Sequence, residues 1–70
     1  MFGKVLKTAR EKAGMTQERL AFAADLDRTY ISRLENDRMS PTLDTLLQLG
    51  DAIGVPASVL IARVERSRKR

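Results

Sequence analysis

The 70 residues make one domain, with room for only a small core that efficient helix packing or a second copy must supplement. Cysteine and histidine are both absent. That removes disulfides, thiolate metal sites and the commonest general bases and nucleophiles, so no enzyme and no cofactor are expected, although Asp, Glu, Ser and Lys leave chemistry formally open. The net charge of +4 is carried entirely by residues 63–70, where Arg63, Arg66, Arg68, Lys69 and Arg70 face Glu65 alone; bulk charge is therefore weak evidence for any partner.

No apolar run approaches the roughly 20 residues of a bilayer span. Met1-Phe2-Gly3-Lys4 lacks the apolar centre of a secretory leader. A cytoplasmic protein is the expectation.

The pattern is helical from end to end, and no alternating run argues for a strand. The first helix is expected over Phe2 to Ala13, with Val5, Leu6, Ala9 and Ala13 on one stripe and Gly14 as its left-handed stop. Thr16 caps a second helix running to about Ala24, with Leu20, Ala21 and Ala24 inward. Phe22 is read as a lid on the core. Asp25-Leu26 makes a tight turn with Leu26 as its apolar plug. Asp27 caps a third helix, buried through Ile31 and Leu34 and ended at Asn36-Asp37.

Met39-Ser40-Pro41 reads as a loop, because proline biases the preceding residue away from helix. Thr42 caps a fourth helix, where Leu43, Leu46, Leu47 and Ile53 recur at helical spacing. Gly50 inside it implies close approach of another helix. Gly54 stops it, with Val55 packing back. Pro56 opens a fifth helix through about Glu65, with Ala57, Leu60 and Ile61 inward. Residues 1–65 are thus the domain, and 66–70 a basic flexible tail that either adds nonspecific phosphate attraction or is merely solvated.

Thr16 to Asn36 is the informative stretch: two short helices, a tight turn, and small residues where the backbones cross. That is the layout of a helix-turn-helix, which presents its second helix to the DNA major groove. With Ile31 and Leu34 inward, Arg28, Thr29, Ser32 and Arg33 point outward together at 100° per residue. Arginine pairs with guanine O6 and N7, and threonine offers a methyl group and a hydroxyl, so these four are the candidate base readers. Thr16, Gln17, Tyr30, Asn36 and Arg38 are the candidate phosphate contacts. Gln17 stands where a helix amino end meets an anion, and Tyr30 packs on the surface or reaches a phosphate. The plainer reading of the arginines, a solvated helix face, gives way to DNA contact once the surrounding pattern is weighed.

Arg10, Gly14, Met15-Thr16-Gln17-Glu18, Leu20-Ala21, Leu26, Ile31-Ser32, Leu34-Glu35-Asn36, Pro41, Leu43, Leu46 and Ile53-Gly54-Val55 resemble the phage repressor and Cro family of helix-turn-helix regulators, the XRE type, over about residues 4–62. Leu26 to Ser32 is also similar to small controller proteins of restriction–modification systems. The resemblance implies a compact, all-α, five-helix, lambda-repressor-like DNA-binding domain with the third helix as reader, and a structural ion pair between Arg10 and Glu35. It departs from the family at Asp25 and Asp37, where glycine is common, and an acid at Asp37 is expected to weaken the approach to phosphates slightly.

Val59 lies outside the inward stripe of the fifth helix, near where family members pair, so Val59 and Val64 are the candidate dimer contacts. A two-fold homodimer would read a pseudo-palindromic double-stranded operator, with half-sites about 34 Å apart. Asp44 and Asp51 on the fourth helix show no clear RNA polymerase surface. An antitoxin-type module that binds both a protein and DNA is the alternative, and a protein adaptor without DNA is a further rival.

Overall fold

A computed structural model describes residues 1–68 as five α-helices with no strand: α1 (Phe2–Lys12), α2 (Gln17–Ala24), α3 (Arg28–Glu35), α4 (Leu43–Ile53) and α5 (Ala57–Arg68). Lys69 and Arg70 of the expected basic tail lie outside the described residues.

Local chemistry sets the boundaries. Thr16 Oγ1 accepts the Arg19 N–H at 3.0 Å, Thr42 Oγ1 accepts the Thr45 N–H at 3.1 Å, and Asp27 Oδ1 accepts the Thr29 N–H at 3.4 Å. Each satisfies one of the orphan amides at a helix start. The first four helices end alike. Gly14, Asp25, Asp37 and Gly54 all hold a positive φ, between 55° and 86°. The residue after each sends its N–H back to a carbonyl five residues earlier: Met15 to Arg10, Leu26 to Ala21, Arg38 to Arg33 and Val55 to Gly50, at 2.8–3.1 Å. This closure satisfies the last carbonyls and turns the chain sharply. Aspartate bears the left-handed backbone at two of these stops because its short polar side chain tolerates it.

The helices form a closed ring of neighbours: α1 packs on α3, α3 on α2, α2 on α4, α4 on α5, and α5 back on α1. Leu6, Leu20, Ile31, Leu34 and Leu49 fill the centre with no exposed surface, and Leu60 anchors α5 equally completely. Ala21 and Ala24 are both buried in the same core, on a helix packed against α3 and α4. Emptying any of the six large positions to alanine carries a cost of about 2–5 kcal/mol.

Packing departs from the sequence pattern on α4, α5 and α2. Leu43 and Leu47 are exposed by 67% and 49%, and the buried side of α4 is Thr45, Leu49 and Gly50, with Leu46 and Ile53 half-buried. The leucines of α4 spread over about 160° of its circumference, more than its buried side needs, and contact with α2 selects the Leu49 side. Ile61 is likewise exposed, and Ala13 caps the end of α1 in solvent. Phe22 is 88% exposed and covers no core; it points away from Leu20, Ala21 and Ala24 on so short a helix. α5 begins at Ala57 and continues past Glu65 to Arg68.

Gly50 meets the connection to α5 rather than the flank of another helix. A Cβ there would sit 2.7 Å from the Val55 carbonyl oxygen and 3.0 Å from the Ala57 nitrogen. Gly3 is tighter still: a Cβ would fall 2.3 Å from the Glu35 carbonyl oxygen, so the start of α1 rides directly on the end of α3.

Candidate nucleic-acid interface

α3 is held rigidly from behind. Ile31 and Leu34 are fully buried, and Tyr30 is half-buried against the core. At its last residue, Glu35 receives two hydrogen bonds from Arg10 on α1, from Nε to Oε2 at 2.6 Å and from Nη2 to Oε1 at 3.1 Å. Gln17 Nε2, at the first residue of α2, donates to the same Oε1 at 3.0 Å. Arg10 Nη1 donates to the Met15 carbonyl at 2.8 Å. One carboxylate thus ties α1, α2 and α3 together, with side-chain exposure of 10% for Arg10 and 3% for Glu35. The forked geometry suits a guanidinium, and charge-assisted bonds of this kind are the strong ones. Hydrogen bonding to Glu35 raises the Arg10 pKa against the opposing effect of burial, so the guanidinium stays charged.

The outward side of α3 is open. Arg28, Thr29 and Arg33 are exposed and Ser32 is half-buried. The only ion pairs among the described residues are Arg10–Glu35 and the Met1 ammonium–Asp37. Arg28, Arg33 and Arg38 therefore keep their charge available at the surface. Asn36 Nδ2 donates to the Ser32 carbonyl at 2.8 Å, which folds Asn36 over the last turn of α3. Thr16 uses its oxygen as the α2 cap and keeps its hydroxyl proton free for an acceptor. Gln17 spends one amide hydrogen on Glu35 and retains the second.

Asp37 does not face outward as a bare acid. Its carboxylate takes the Met1 ammonium at 2.6 Å and the Gly3 N–H at 2.9 Å. Those bonds hold its carboxyl below the ordinary aspartate value, the ammonium contributing most and Gly3 next. The negative charge is thereby turned toward the start of α1. Sequence reasoning missed this role, as it missed Gly3 and Leu49. Only the dependence of Gly3 on the end of α3, a contact across more than 30 residues, would have exposed it.

On α5, Val64 is half-buried and borders a hollow with Phe2, Met39 and Ser40, whereas Val59 is 37% exposed. At 100° per residue the two are about 140° apart, with Val64 turned toward Phe2 and Met39 and Val59 toward solvent. No group of three or more potential metal-binding side chains occurs among the described residues, and no single helix is long and apolar enough to cross a membrane.

The helix-turn-helix family pattern matches residues 6–60. The chain belongs to the helix-turn-helix family of the XRE type. It is 39% identical over 67 residues to the HTH-type transcriptional regulator ImmR of Bacillus subtilis, covering 96% of this chain and 53% of that protein. It is also 39% identical over 62 residues to the control protein C.BamHI of Bacillus amyloliquefaciens, covering 87% of this chain and 76% of that protein. The crystal structure of the restriction–modification controller protein C.AhdI from Aeromonas hydrophila superposes with a TM-score of 0.82 at 34% identity, covering 84% of this chain and 89% of that one. The chain thus spans about half the length of ImmR and most of the length of the controller proteins. The all-helical five-element fold and the likeness to controller proteins stand as the sequence led one to expect.

Proposed function

We propose that this protein is a cytoplasmic transcriptional regulator that occupies a pseudo-palindromic operator as a homodimer, with α3 in the major groove. The observation that carries the reading is the contrast between two sets of arginines. Arg10 is locked in a buried fork with Glu35, while Arg28 and Arg33 stand exposed and unpaired on the free side of the helix that the fork immobilises. A rigid helix presenting unneutralised guanidiniums beside Thr29 and Ser32 is suited to base edges. The first amides of α2, with Thr16 and the second hydrogen of Gln17, suit a phosphate next to it. Tyr30, in the first turn of α3, and Asn36 and Arg38, just past its end, fit backbone contacts. Nothing in this reading requires a catalytic step or a cofactor.

Selection of bound duplexes from a random pool tests it. The expected result is an enriched two-fold motif with half-sites about one helical turn apart, lost when Arg28 and Arg33 are both alanine. Binding that is uniform across sequences, or unaffected by the double substitution, overturns the base-reading assignment.

A further inference from the structure

We propose that Asn36 sets the polarity of the Ser32 hydroxyl, so that Ser32 meets DNA as a hydrogen-bond donor and the base opposite it is one that offers an acceptor. The proposal rests on the operator-binding reading and deepens it. Within that reading, Asn36 moves from the phosphates to a positioning role behind a base reader.

Asn36 is the cap residue at the end of α3, and its side chain is pinned. The Ser32 carbonyl accepts both the Asn36 backbone N–H, at 3.1 Å, and its Nδ2, at 2.8 Å. Two bonds from one residue to one oxygen fold the amide back along the last turn. The chain beyond is fixed as well. Asp37 stops α3 with a φ of 55°, the Arg38 N–H closes on the Arg33 carbonyl at 2.9 Å, and Asp37 Oδ1 holds the Gly3 N–H at 2.9 Å.

The same Nδ2 lies 3.5 Å from Ser32 Oγ and faces it as a donor, a long contact that the carbonyl bond keeps in place. An amide nitrogen has no acceptor to offer, so the serine hydrogen turns away from it. A serine within a helix commonly returns that hydrogen to a carbonyl of the preceding turn. Ser67 on α5 does so, donating to the Val64 carbonyl at 2.8 Å. Ser32 does not: among the described residues its hydroxyl donates to no acceptor, and its side-chain partner is Asn36. Ser32 lies about 100° around α3 from Ile31 and about 160° from Leu34. Its free hydrogen is therefore on the side shared with exposed Arg33.

This polarity predicts which bases fit. In the major groove purines offer N7, guanine adds O6 and thymine offers O4, whereas cytosine shows only its N4 amino donor. A hydroxyl committed as donor disfavours cytosine. A serine free to donate or accept would tolerate all four bases.

Titration of wild type and variants against the selected duplex and its single-position variants tests the assignment. Ratios between duplexes are compared within each protein, so any loss of folded protein cancels. Ser32→Ala should flatten preference at one base position and so identify it. At that position the wild-type protein should bind cytosine about two- to tenfold more weakly than the selected base, the scale of one neutral hydrogen bond. Asn36→Ala should erase the same difference, and add nothing further in a Ser32→Ala background. Asn36→Asp offers an acceptor to the serine hydrogen, and should relieve the bias against cytosine while other positions keep theirs. Equal weakening of all duplexes by Asn36→Ala would return it to the phosphates and overturn the proposal. So would a change at a different position, additive effects of the two alanine substitutions, or cytosine as the preferred base opposite Ser32. The two failures are distinct: no selected motif sinks the operator reading and this inference with it, whereas a motif whose preferences ignore Asn36 sinks only this one.

Discussion

Asp37 Oδ1 accepts the N–H of Gly3 at 2.9 Å, so the residue that stops α3 also caps α1. Its second oxygen takes the Met1 ammonium. Both bonds lower its pKa from the ordinary 3.8, with the ammonium as the larger cause. A carboxyl depressed by folding stabilises above its unfolded value, and that contribution is lost as pH falls through the folded one. Asp37→Asn should therefore lower the melting temperature near neutrality, by no more than a few degrees because the carboxylate is half exposed. The gap between the two melts should narrow as pH falls below the ordinary aspartate value and close once the folded carboxylate is protonated. A gap that persists unchanged into acid would show that the charge is irrelevant.

Gly3→Ala should be costly although the residue lies in a helix, where alanine is intrinsically favoured by about 1 kcal/mol. The added carbon would press on the backbone of Leu34 and Glu35. Overpacking of this kind costs about 1–3 kcal/mol, and each kcal/mol lowers the melting temperature of a domain this size by about 4–8 °C. An unchanged or raised melting temperature would mean that α1 slides away from α3 freely.

Glu35→Ala should be among the most damaging substitutions, because it strands the buried Arg10 and frees Gln17. Breaking one side of a buried pair costs about 3–5 kcal/mol. Arg10→Met combined with Glu35→Leu should recover much of that loss, since no charge is left unpaired. Chemical denaturation of the three proteins provides the check; a double variant as unstable as Glu35→Ala would contradict the desolvation argument.

Arg28→Ala and Gln17→Ala should differ in kind. Loss of a guanidinium that pairs with a base should relax preference at one or two positions, by about 1–3 kcal/mol. Loss of Gln17 should weaken all sequences alike and lower stability slightly, because Glu35 loses one donor. Titrations against the selected duplex and its single-position variants separate these outcomes. Uniform weakening by Arg28→Ala would reassign it to the phosphates.

Much of the fold was legible because the signals were local. Thr16, Asp27 and Thr42 cap helices within three residues of themselves, and the stops at Gly14 and Gly54 follow from backbone preference alone. The exposed face of α3 was legible for the same reason, since Ile31 and Leu34 fix which way α3 turns. What eluded the sequence was long-range. α4 offers more leucines than one side needs, and only its contact with α2 selects Leu49 over Leu43 and Leu47. Phe22 reads as core by residue type, yet no helix passes over it. Asp37 and Gly3 lie 34 residues apart, beyond any periodicity.

The side chains of Arg28, Thr29 and Arg33 brace nothing inside the protein, whereas Arg10, Gln17 and Glu35 brace three helices at once. Replacement of the outer set leaves the scaffold's stability nearly untouched, because surface changes remote from such braces usually shift it by under about 0.5 kcal/mol. On the proposed reading, a chain of this kind can move to a new target through a few substitutions on one exposed strip, with no compensating change in the interior that carries it.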